Sequence, residues 1–334
     1  MEANNSTILI TGATSGIGYE AALELLRAGS NLIILCRNQE RKKQTINKLR
    51  ESLTNFELIK RNLYLPIVDL GDLKTVELFV NQLLLEAKPL DRIILNAGLQ
   101  YTGSKNIKWS KQNIELTFAV NHLSHFYLAN KLLELLVLSP DPRVIVTSSE
   151  VHNIKSSGGR VGALAGLGNL EGLKQGIGFK MIDGKSIFNA DKAYKDSKLC
   201  NILFSRELSR RLTISNTNIP VIAWAPGLVI PRSRDGFFRY SRKYNELGQI
   251  IFSFIARDLL RITETPENAG SILADIAISS TYNKKGFIYL SNQLGVFSNH
   301  KLEMIKTSDE ANDQKKANIL WELSNNLIEE ILRN

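Results

Sequence analysis

Residues 7–18 read TILITGATSGIG, a short β-branched run that leads into a glycine-rich turn. Residues 17–28 then carry apolar side chains at helical spacing and end before Gly29. The pattern predicts a strand, a turn and a helix in that order. Such a turn lets the backbone approach a pyrophosphate, and the helix N-terminus adds free N–H groups and a partial positive charge. The predicted dinucleotide-binding residues of this turn are Gly12, Thr14, Ser15, Gly16, Ile17 and Gly18.

Apolar runs and helical patterns continue to alternate after this turn. The predicted strands cover residues 7–10, 32–35, 63–68, 92–95, 143–147, 219–223 and 286–290. Strands that alternate with helices predict a doubly wound parallel sheet, and nearly continuous apolar strands fit a sheet that helices cover on both faces. We therefore expect an α/β fold of the Rossmann type, with seven parallel strands in a single domain over residues 1–334.

Two long segments interrupt the alternation. Residues 153–190 are glycine-rich and weakly periodic, and residues 228–262 are rich in arginine, phenylalanine and tyrosine. Long loops in compact domains are usually functional, so we predict that both insertions form a substrate lid. The aromatic side chains of the second insertion line an apolar pocket or pack as the lid's own core: Phe237, Phe238, Tyr240, Tyr244, Phe252 and Phe254. An amphipathic helix over residues 308–332 is predicted to end the chain.

Composition limits the class of protein. The 334 residues are 43% hydrophobic and 22% charged, as in soluble globular proteins. The longest apolar run, residues 132–138, is too short to cross a bilayer. Residues 1–7 lack the basic start and apolar stretch of a signal peptide. Two cysteines, Cys36 and Cys200, cannot build a disulfide framework. We therefore expect a cytoplasmic protein in a reducing compartment.

The chain carries 42 Lys and Arg against 33 Asp and Glu, a net charge of +9. A basic balance can serve a nucleic acid, a membrane surface or an anionic cofactor. The basic residues are scattered among acids and form no aromatic-and-basic module, so no nucleic-acid partner is expected. A peripheral membrane contact and a homo-oligomer stay open, and the expected partner is a small apolar molecule.

The end of the second predicted strand selects the cofactor. An acid there hydrogen-bonds the 2′-hydroxyl of NAD, whereas an arginine accommodates the 2′-phosphate of NADP. Arg37 occupies this place and predicts NADPH, with a plain surface arginine as the alternative. Asp69 closes the third strand, where it can bond the adenine amine or cap the next helix. The other predicted cofactor contacts lie at strand ends: Leu70, Asn96, Ala97, Gly98, Pro226, Gly227 and Val229.

Tyr194 and Lys198 are four residues apart, on one face of a predicted helix. An ammonium close to a tyrosine, whose ordinary pKa is near 10, favours the phenolate and makes the pair an acid or base near neutral pH. Ser149 ends the fifth strand, where it can hold a substrate oxygen, and Asn121 lies on the long helix beside it. His122 and nearby His125 have no convergent third ligand, so no metal site is predicted.

These residues resemble the short-chain dehydrogenase/reductase family from about residue 6 to 290. The tetrad of that family, Asn, Ser, Tyr and Lys, is matched by Asn121, Ser149, Tyr194 and Lys198. The resemblance implies that Tyr194 gives or takes the proton, and that Lys198 lowers the pKa of Tyr194 and holds the nicotinamide ribose. It also implies that Asn121 keeps a water of the proton relay.

A narrower resemblance, to light-dependent protochlorophyllide reductases, covers nearly the whole chain. Tyr194 follows Ser149 by 45 residues instead of about a dozen, and residues 121–126, 167–172 and 192–201 are similar to that group. The resemblance implies NADPH, a tetrapyrrole substrate whose C=C bond is reduced in light, and a role in chlorophyll biosynthesis at a photosynthetic membrane.

The chain departs from that group around the second insertion. Leu228 replaces a cysteine after Pro-Gly, Ala225 replaces a tyrosine before it, and Arg232 replaces the threonine that often grips the carboxamide. Residues 148–152 are more similar to retinol dehydrogenases. A light-independent carbonyl or retinal-type reductase, and a non-catalytic homologue that binds NADPH and pigment, therefore remain alternatives.

Overall fold

The computed structural model describes residues 5–56, 60–230, 239, 241–244, 246–283, 286–293, 295 and 300–333. The strands in this part of the chain are β1 (Thr7–Ile10), β2 (Asn31–Ile34), β3 (Leu63–Tyr64), β4 (Arg92–Leu95), β5 (Arg143–Thr147), β6 (Val221–Ala225), β7 (Phe287–Gln293) and β8 (Lys301–Met304). They form one sheet in the order β3-β2-β1-β4-β5-β6-β7-β8. The pairs from β1 to β7 are parallel, and β8 runs antiparallel to β7. The predicted fold class is confirmed, with β8 as an addition.

Several strand boundaries differ from the prediction, and two of them differ because proline has no N–H to donate to a ladder. β3 ends at Tyr64 instead of residue 68, since Pro66 interrupts the ladder before a bridge between Cys36 and Ile67 resumes it. β6 begins at Val221, directly after Pro220, instead of at residue 219.

The long helices of the described residues are α1 (Gly16–Arg27), α2 (Gln39–Ser52), α3 (Leu73–Glu86), α4 (Ser124–Leu136), α5 (Ala190–Ile214), α6 (Glu246–Ser253), α7 (Pro266–Ile278) and α8 (Gln314–Arg333). A π-helical turn, Ala119–Leu123, leads directly into α4, and a second one, Phe254–Leu259, follows α6. Asparagine, aspartate and threonine side chains cap four helices by accepting backbone N–H groups, as their propensities predict: Asn38, Asp72, Asn189 and Thr265.

The sheet separates two hydrophobic clusters, because successive strand side chains point to opposite faces. Leu9 belongs to the cluster that also contains side chains of α4, α5 and α8. Its neighbours Ile8 and Ile10 belong to the cluster with α1 and α7. Both faces are therefore covered, and the carboxyl ends of the parallel strands remain as the edge at which loops meet.

The first insertion, residues 153–190, is packed into the core. Leu167, Leu170, Leu173 and Phe179 are buried in the same cluster as α8. The terminal helix begins at Gln314 rather than at residue 308, because residues 310–312 form a separate 3₁₀ turn. Movement of the insertion over a substrate stays a prediction.

The second insertion presents a different surface from the one expected. Phe252 and Phe254 are more than half exposed, so they form neither a pocket wall nor a lid core in this structure. Tyr244 lies against Gly103 and Lys108. Arg232, Phe237, Phe238 and Tyr240 lie outside the described residues.

Candidate active site

The glycine turn after β1 is packed tightly against the end of β4. Gly12 and Gly16 have φ angles of 70° and 57°, in the left-handed region that glycine adopts without strain. A Cβ on Gly12 would lie 2.7 Å from the Ala97 Cα, and one on Gly18 would lie 2.5 Å from the Gly12 carbonyl oxygen. The structure therefore brings the predicted turn and the predicted Asn96-Ala97-Gly98 segment together.

A chain of hydrogen bonds fixes the ends of four strands relative to one another. The Thr11 hydroxyl accepts the N–H groups of Asn96 and Ala97, at 2.9 and 2.8 Å. The Thr147 hydroxyl donates to the Asn96 side-chain oxygen at 3.2 Å, and the Trp224 indole donates to the Thr147 hydroxyl at 2.8 Å. The site is thus built on rigid elements rather than on loops alone.

The N-terminus of α1 has donors to offer to an anion. Ser15 is its N-cap, and within the described residues its side chain makes no capping hydrogen bond. The first N–H groups of a helix have no partner inside the helix. Ser15 and Gly16 line a cleft of about 810 Å³. Arg257 and Arg261 also line this cleft, together with five carboxylates, and Arg257 pairs with Asp258 at 2.8 Å. The part of the site that fits a pyrophosphate is therefore the row of N–H donors at the helix terminus.

Arg37 is exposed directly after β2, where the ribose selector of this fold is expected. Asp69 shapes the turn after β3, since one carboxylate oxygen accepts the Gly71 N–H at 2.9 Å. The alternative that Asp69 caps the next helix is wrong, because Asp72 accepts the Lys74 N–H and caps α3. The Leu70 carbonyl accepts the Ser124 hydroxyl at 2.7 Å and so fastens this turn to α4.

The Pro226-Gly227 turn after β6 is held from two sides. The Asn292 amide donates to the Pro226 carbonyl at 3.3 Å, and Gly227 has a φ of 81°. Val229 forms a bridge with Glu264. The predicted cofactor contacts on this turn therefore stand at the same sheet edge as the glycine turn.

Tyr194, Ser149 and Lys198 converge at the carboxyl end of β5. The Tyr194 and Ser149 hydroxyl groups are hydrogen-bonded, and the Lys198 Nζ lies 5.8 Å from the Tyr194 ring centroid. The Lys198 ammonium donates to the Thr147 carbonyl at 3.0 Å. Three of the four predicted tetrad residues thus form one cluster.

Burial controls the ionisation of this cluster in the protein without cofactor. Burial raises the pKa of Tyr194 well above its ordinary value, and the Ser149 hydrogen bond opposes this only in part. Burial also lowers the pKa of Lys198 to about 7. Desolvation thus disfavours both charged forms, and the lowering of the Tyr194 pKa by Lys198 together with the nicotinamide ring stays a prediction.

Asn121 lies in the π-helical turn before α4, a feature that is frequent at functional sites. Its amide donates to the Leu99 carbonyl and to the Ser197 hydroxyl, both at 3.0 Å, and its side-chain oxygen accepts the Leu99 N–H at 2.9 Å. The Ser197 hydroxyl donates to the Tyr194 carbonyl at 2.6 Å. Asn121 thereby links the end of β4 to the helix of Tyr194, and its role in a proton relay stays a prediction.

Two histidines that the sequence patterns did not place in the site support it. The His152 Nδ1 donates to the Ser149 carbonyl at 2.7 Å, while its Nε2 accepts the Ser308 N–H at 3.3 Å. The His125 Nε2 lies 2.9 Å from the Thr11 hydroxyl, and its Nδ1 lies 3.1 Å from the Asn121 carbonyl. His125 therefore connects the glycine turn to the tetrad.

The tautomer of His125 follows from its two partners. The Asn121 carbonyl can only accept, so the proton of the neutral ring resides on Nδ1 and is donated to that carbonyl. The Nε2 then accepts from the Thr11 hydroxyl, which also lies 3.4 Å from the Ile94 carbonyl. Burial lowers the pKa of His125 to about 3, which keeps the ring neutral. The sequence signal for this role of His125 was its spacing of four residues from Asn121, which places both on one face of a helix.

We expect His125→Phe to weaken cofactor binding about tenfold, because it removes one hydrogen bond from the Thr11 hydroxyl and one from the Asn121 carbonyl, at about 0.5–1.5 kcal/mol each. His122→Phe is the matched control, since His122 is equally buried but bonds the Ser324 hydroxyl, away from the glycine turn. Calorimetric titration measures the cofactor affinity of both variants, and denaturant unfolding measures their stability. Equal loss of cofactor affinity in both variants would assign His125 to packing alone.

Lys198→Met is expected to stabilise the protein while it removes activity. The unfolded chain keeps this lysine charged up to its ordinary pKa of 10.5, whereas the folded protein holds it neutral above about 7. The unfolded state therefore binds more protons between pH 7 and 10.5, so the cost of burying Lys198 falls as the pH rises through that window.

The gain in unfolding free energy from Lys198→Met should be about 2–4 kcal/mol at pH 7 and should shrink towards pH 10. The Thr147 carbonyl keeps a hydrogen bond from the Asn201 amide at 3.3 Å, so no acceptor is orphaned. Denaturant unfolding at several pH values measures the gain. A gain that does not change with pH would contradict the desolvation of Lys198.

Among the described residues, no group of three or more His, Cys, Asp or Glu side chains could hold a metal ion. His122 instead sits among the aromatic rings of Phe118, Phe126 and Phe204.

The site combines three features: the N-terminus of α1, the glycine turn and the Ser149–Tyr194–Lys198 cluster. Together they define a dinucleotide-binding α/β oxidoreductase. The family model described as short chain dehydrogenase matches residues 6–161. The chain is 31% identical to the chloroplastic protochlorophyllide reductase of Cucumis sativus, over 96% of this chain and 77% of that protein. It is 30% identical to the enzyme of Avena sativa, over 96% and 99%. The chain belongs to the short-chain dehydrogenase family, in the part related to protochlorophyllide reductases.

Solved structures share the fold. An uncharacterised protein from Mycobacterium paratuberculosis has a TM-score of 0.67 at 23% identity, covering 98% of this chain and 95% of that one. A short chain dehydrogenase from Shigella flexneri, complexed with NADP, has a TM-score of 0.57 at 21% identity, covering 86% and 96%. RhlG of Pseudomonas aeruginosa, also with NADP, has a TM-score of 0.61 at 20% identity, covering 87% and 96%.

Proposed function

We propose that this protein is an NADPH-dependent reductase that saturates a C=C bond of a protochlorophyllide-like tetrapyrrole, with the proton supplied by Tyr194. The observation that carries the proposal is the Tyr194 hydroxyl, which is hydrogen-bonded to Ser149 at the end of β5 and protonated at neutral pH. A protonated phenol is what a reductase needs, since a reduction consumes a proton at the acceptor atom.

The cofactor half of the proposal rests on the fit of the site. The Gly12 and Gly16 turn and the N-terminus of α1 suit a dinucleotide pyrophosphate. When bound, NADPH would supply the hydride of the reduction. Arg37 supports the phosphorylated cofactor because no acid stands at the end of β2.

The side chains of the site orient the substrate, donate the proton and stabilise the charge that remains. Ser149 orients the acceptor through its hydroxyl, which already bonds Tyr194. Tyr194 donates the proton from its phenol oxygen. Lys198, whose Nζ lies 5.8 Å from the Tyr194 ring centroid, stabilises the phenolate that remains when it carries its proton, because a nearby ammonium favours the charged form. His152 fixes the backbone of Ser149 and so holds its hydroxyl in place.

The substrate half rests on similarity over nearly the whole chain. The relatives named protochlorophyllide reductase match 96% of it, including the insertion between Ser149 and Tyr194. Leu228, which replaces the cysteine of that group, favours the second candidate, a light-independent carbonyl or retinal-type reductase. Both candidates use the same donor and cofactor site, and they differ in the requirement for light.

A light-dependence assay separates the candidates. The purified protein is mixed with NADPH and protochlorophyllide in darkness and then illuminated while the red absorbance band is followed. A red shift that requires light supports the proposal. Bound pigment without a shift indicates a non-catalytic binding protein, and absence of pigment binding with turnover of retinal in darkness indicates the carbonyl reductase.

Arg37→Asp is expected to lower the preference for NADPH over NADH about 10–100-fold, because it removes the charge-assisted hydrogen bonds expected to the 2′-phosphate. Lys43→Asp makes the same charge change on exposed surface of α2 and is the matched control. The ratio of kcat/KM for the two cofactors is the measurement. An unchanged ratio would leave Arg37 as a surface arginine.

A further inference from the structure

A series of tight turns leads from Ser149 into the first insertion. Ser149 caps a short 3₁₀ turn, and the Glu150 carbonyl accepts the Asn153 N–H at 2.9 Å. The Ser156 hydroxyl lies 2.9 Å from the Glu150 carbonyl and accepts the Gly159 N–H at 2.9 Å. A Cβ on Gly159 would lie 1.9 Å from the Asn153 carbonyl oxygen, so these turns leave no room for a side chain there. The backbone between Ser149 and Gly159 is therefore held in one compact arrangement by its own hydrogen bonds.

Lys195 joins these turns to the helix of the proton donor. It directly follows Tyr194 on α5, and it is only 3% exposed. Its ammonium donates to the Gly159 carbonyl at 3.4 Å and to the Val161 carbonyl. The Asp191 carboxylate, one turn earlier on the same helix, lies 3.5 Å from this ammonium. Hydrogen bonds thus run without a break from the turns after the serine to the residue beside the tyrosine.

The buried charge of Lys195 favours a positioning role over a role in stability. Burying an ammonium is costly, and apolar side chains of similar volume often stabilise a protein equally well or better. Lys195 meets two carbonyl groups and a carboxylate that is itself 26% exposed. An apolar side chain could fill the same space, but it could not direct two hydrogen bonds to the backbone of the insertion. What the lysine supplies is therefore the placement of that backbone.

We propose that Lys195 is a positioning residue that holds the turns after Ser149 against α5 and so keeps the Ser149 and Tyr194 hydroxyls within hydrogen-bonding distance. That hydrogen bond is the arrangement on which proton donation depends in the proposed reductase, so the inference rests on the proposed function. A displacement of about 1 Å between reacting groups can lower a rate about 100-fold. Lys195 acts through the backbone of the insertion and needs no contact with substrate or cofactor.

Lys195→Met should lower kcat about 10–100-fold, while KM and the affinity for the cofactor stay near those of the wild type. Lys195→Arg should recover most of the rate, because a guanidinium can also donate to both carbonyl groups. Lys192→Met is the matched control. Lys192 is 12% exposed on the same helix, but its ammonium bonds Asp196 and the Gly166 carbonyl, beyond the turns after the serine. The control should keep kcat near that of the wild type, and denaturant unfolding shows whether each variant folds.

Hydrogen exchange followed by mass spectrometry tests the same connection without any substrate. The amides of residues 150–161 should exchange faster in Lys195→Met than in the wild type or in Lys192→Met, because the turns open more often. Unchanged exchange in Lys195→Met, or faster exchange with wild-type kcat, would overturn the proposal. Equal loss of kcat in both methionine variants would assign Lys195 to packing alone. If the wild type turned over neither proposed substrate, the proposed function would fail, and the exchange rates would still decide whether Lys195 fixes the turns.

Discussion

Tyr194→Phe should lower kcat by about 10²–10⁴ while the affinity for the cofactor stays near that of the wild type. The change removes one oxygen, which is the proposed proton donor and the hydrogen-bond partner of Ser149. The ring and its contact with Lys198 remain, so the packing of α5 is preserved. Steady-state rates and cofactor titration on the same preparation give the two numbers.

Tyr289→Phe is the matched control for this loss. Tyr289 is 3% exposed, and its hydroxyl bonds the Ser291 side chain on its own strand rather than a group of the tetrad. Removal of that hydroxyl should therefore leave both activity and stability almost unchanged. If Tyr194→Phe retained wild-type turnover, the proton would come from another group, and the donor assigned here would be wrong.

The pH profile gives a second test of Tyr194. Because burial raises the pKa of the phenol, the donor stays protonated through the neutral range in the protein without cofactor. Lys198, with a pKa lowered to about 7, changes charge within that range. The alkaline limb of a rate profile should therefore report Lys198 rather than Tyr194, because the ammonium loses its proton first as the pH rises, and Lys198→Arg should move this limb to higher pH.

The positions of the parallel strands and the cofactor turn were predictable because local sequence determines them. A parallel strand buried on both faces needs an almost continuous apolar run, and only glycine reaches the left-handed conformation of Gly12 without strain. Ser149, Tyr194 and Lys198 were predictable from their positions at a strand end and on one helix face. Each of these features depends on residues that are close together in the sequence.

Long-range packing was not predictable in the same way. In β8 the end residues Lys301 and Met304 are exposed, and Leu302 and Glu303 between them are only partly buried. This alternation is too weak to predict a strand. The low pKa of Lys198 arises from burial that no spacing records. The role of His125 depends on Thr11, which is 114 residues away along the chain. Each of these properties exists only after the sheet has brought distant residues together.

Gly12→Ala should lower the free energy of unfolding by about 2–5 kcal/mol and weaken cofactor binding at least as strongly as any other single change in the turn. Two costs add. The φ of 70° is strained for any side chain, and the new Cβ would lie 2.7 Å from the Ala97 Cα. That neighbour is backbone, so relief requires the end of β4 to move away from the turn.

Gly178→Ala separates the two costs. Gly178 has a φ of 89° and nothing within 4 Å of the position of a Cβ, so it carries the conformational cost without the clash. It should lose about 1–2 kcal/mol and leave cofactor binding intact. Denaturant unfolding and cofactor titration of both variants make the comparison. If Gly12→Ala were no worse than Gly178→Ala in both measurements, the contact between the glycine turn and β4 would not be what shapes the cofactor site.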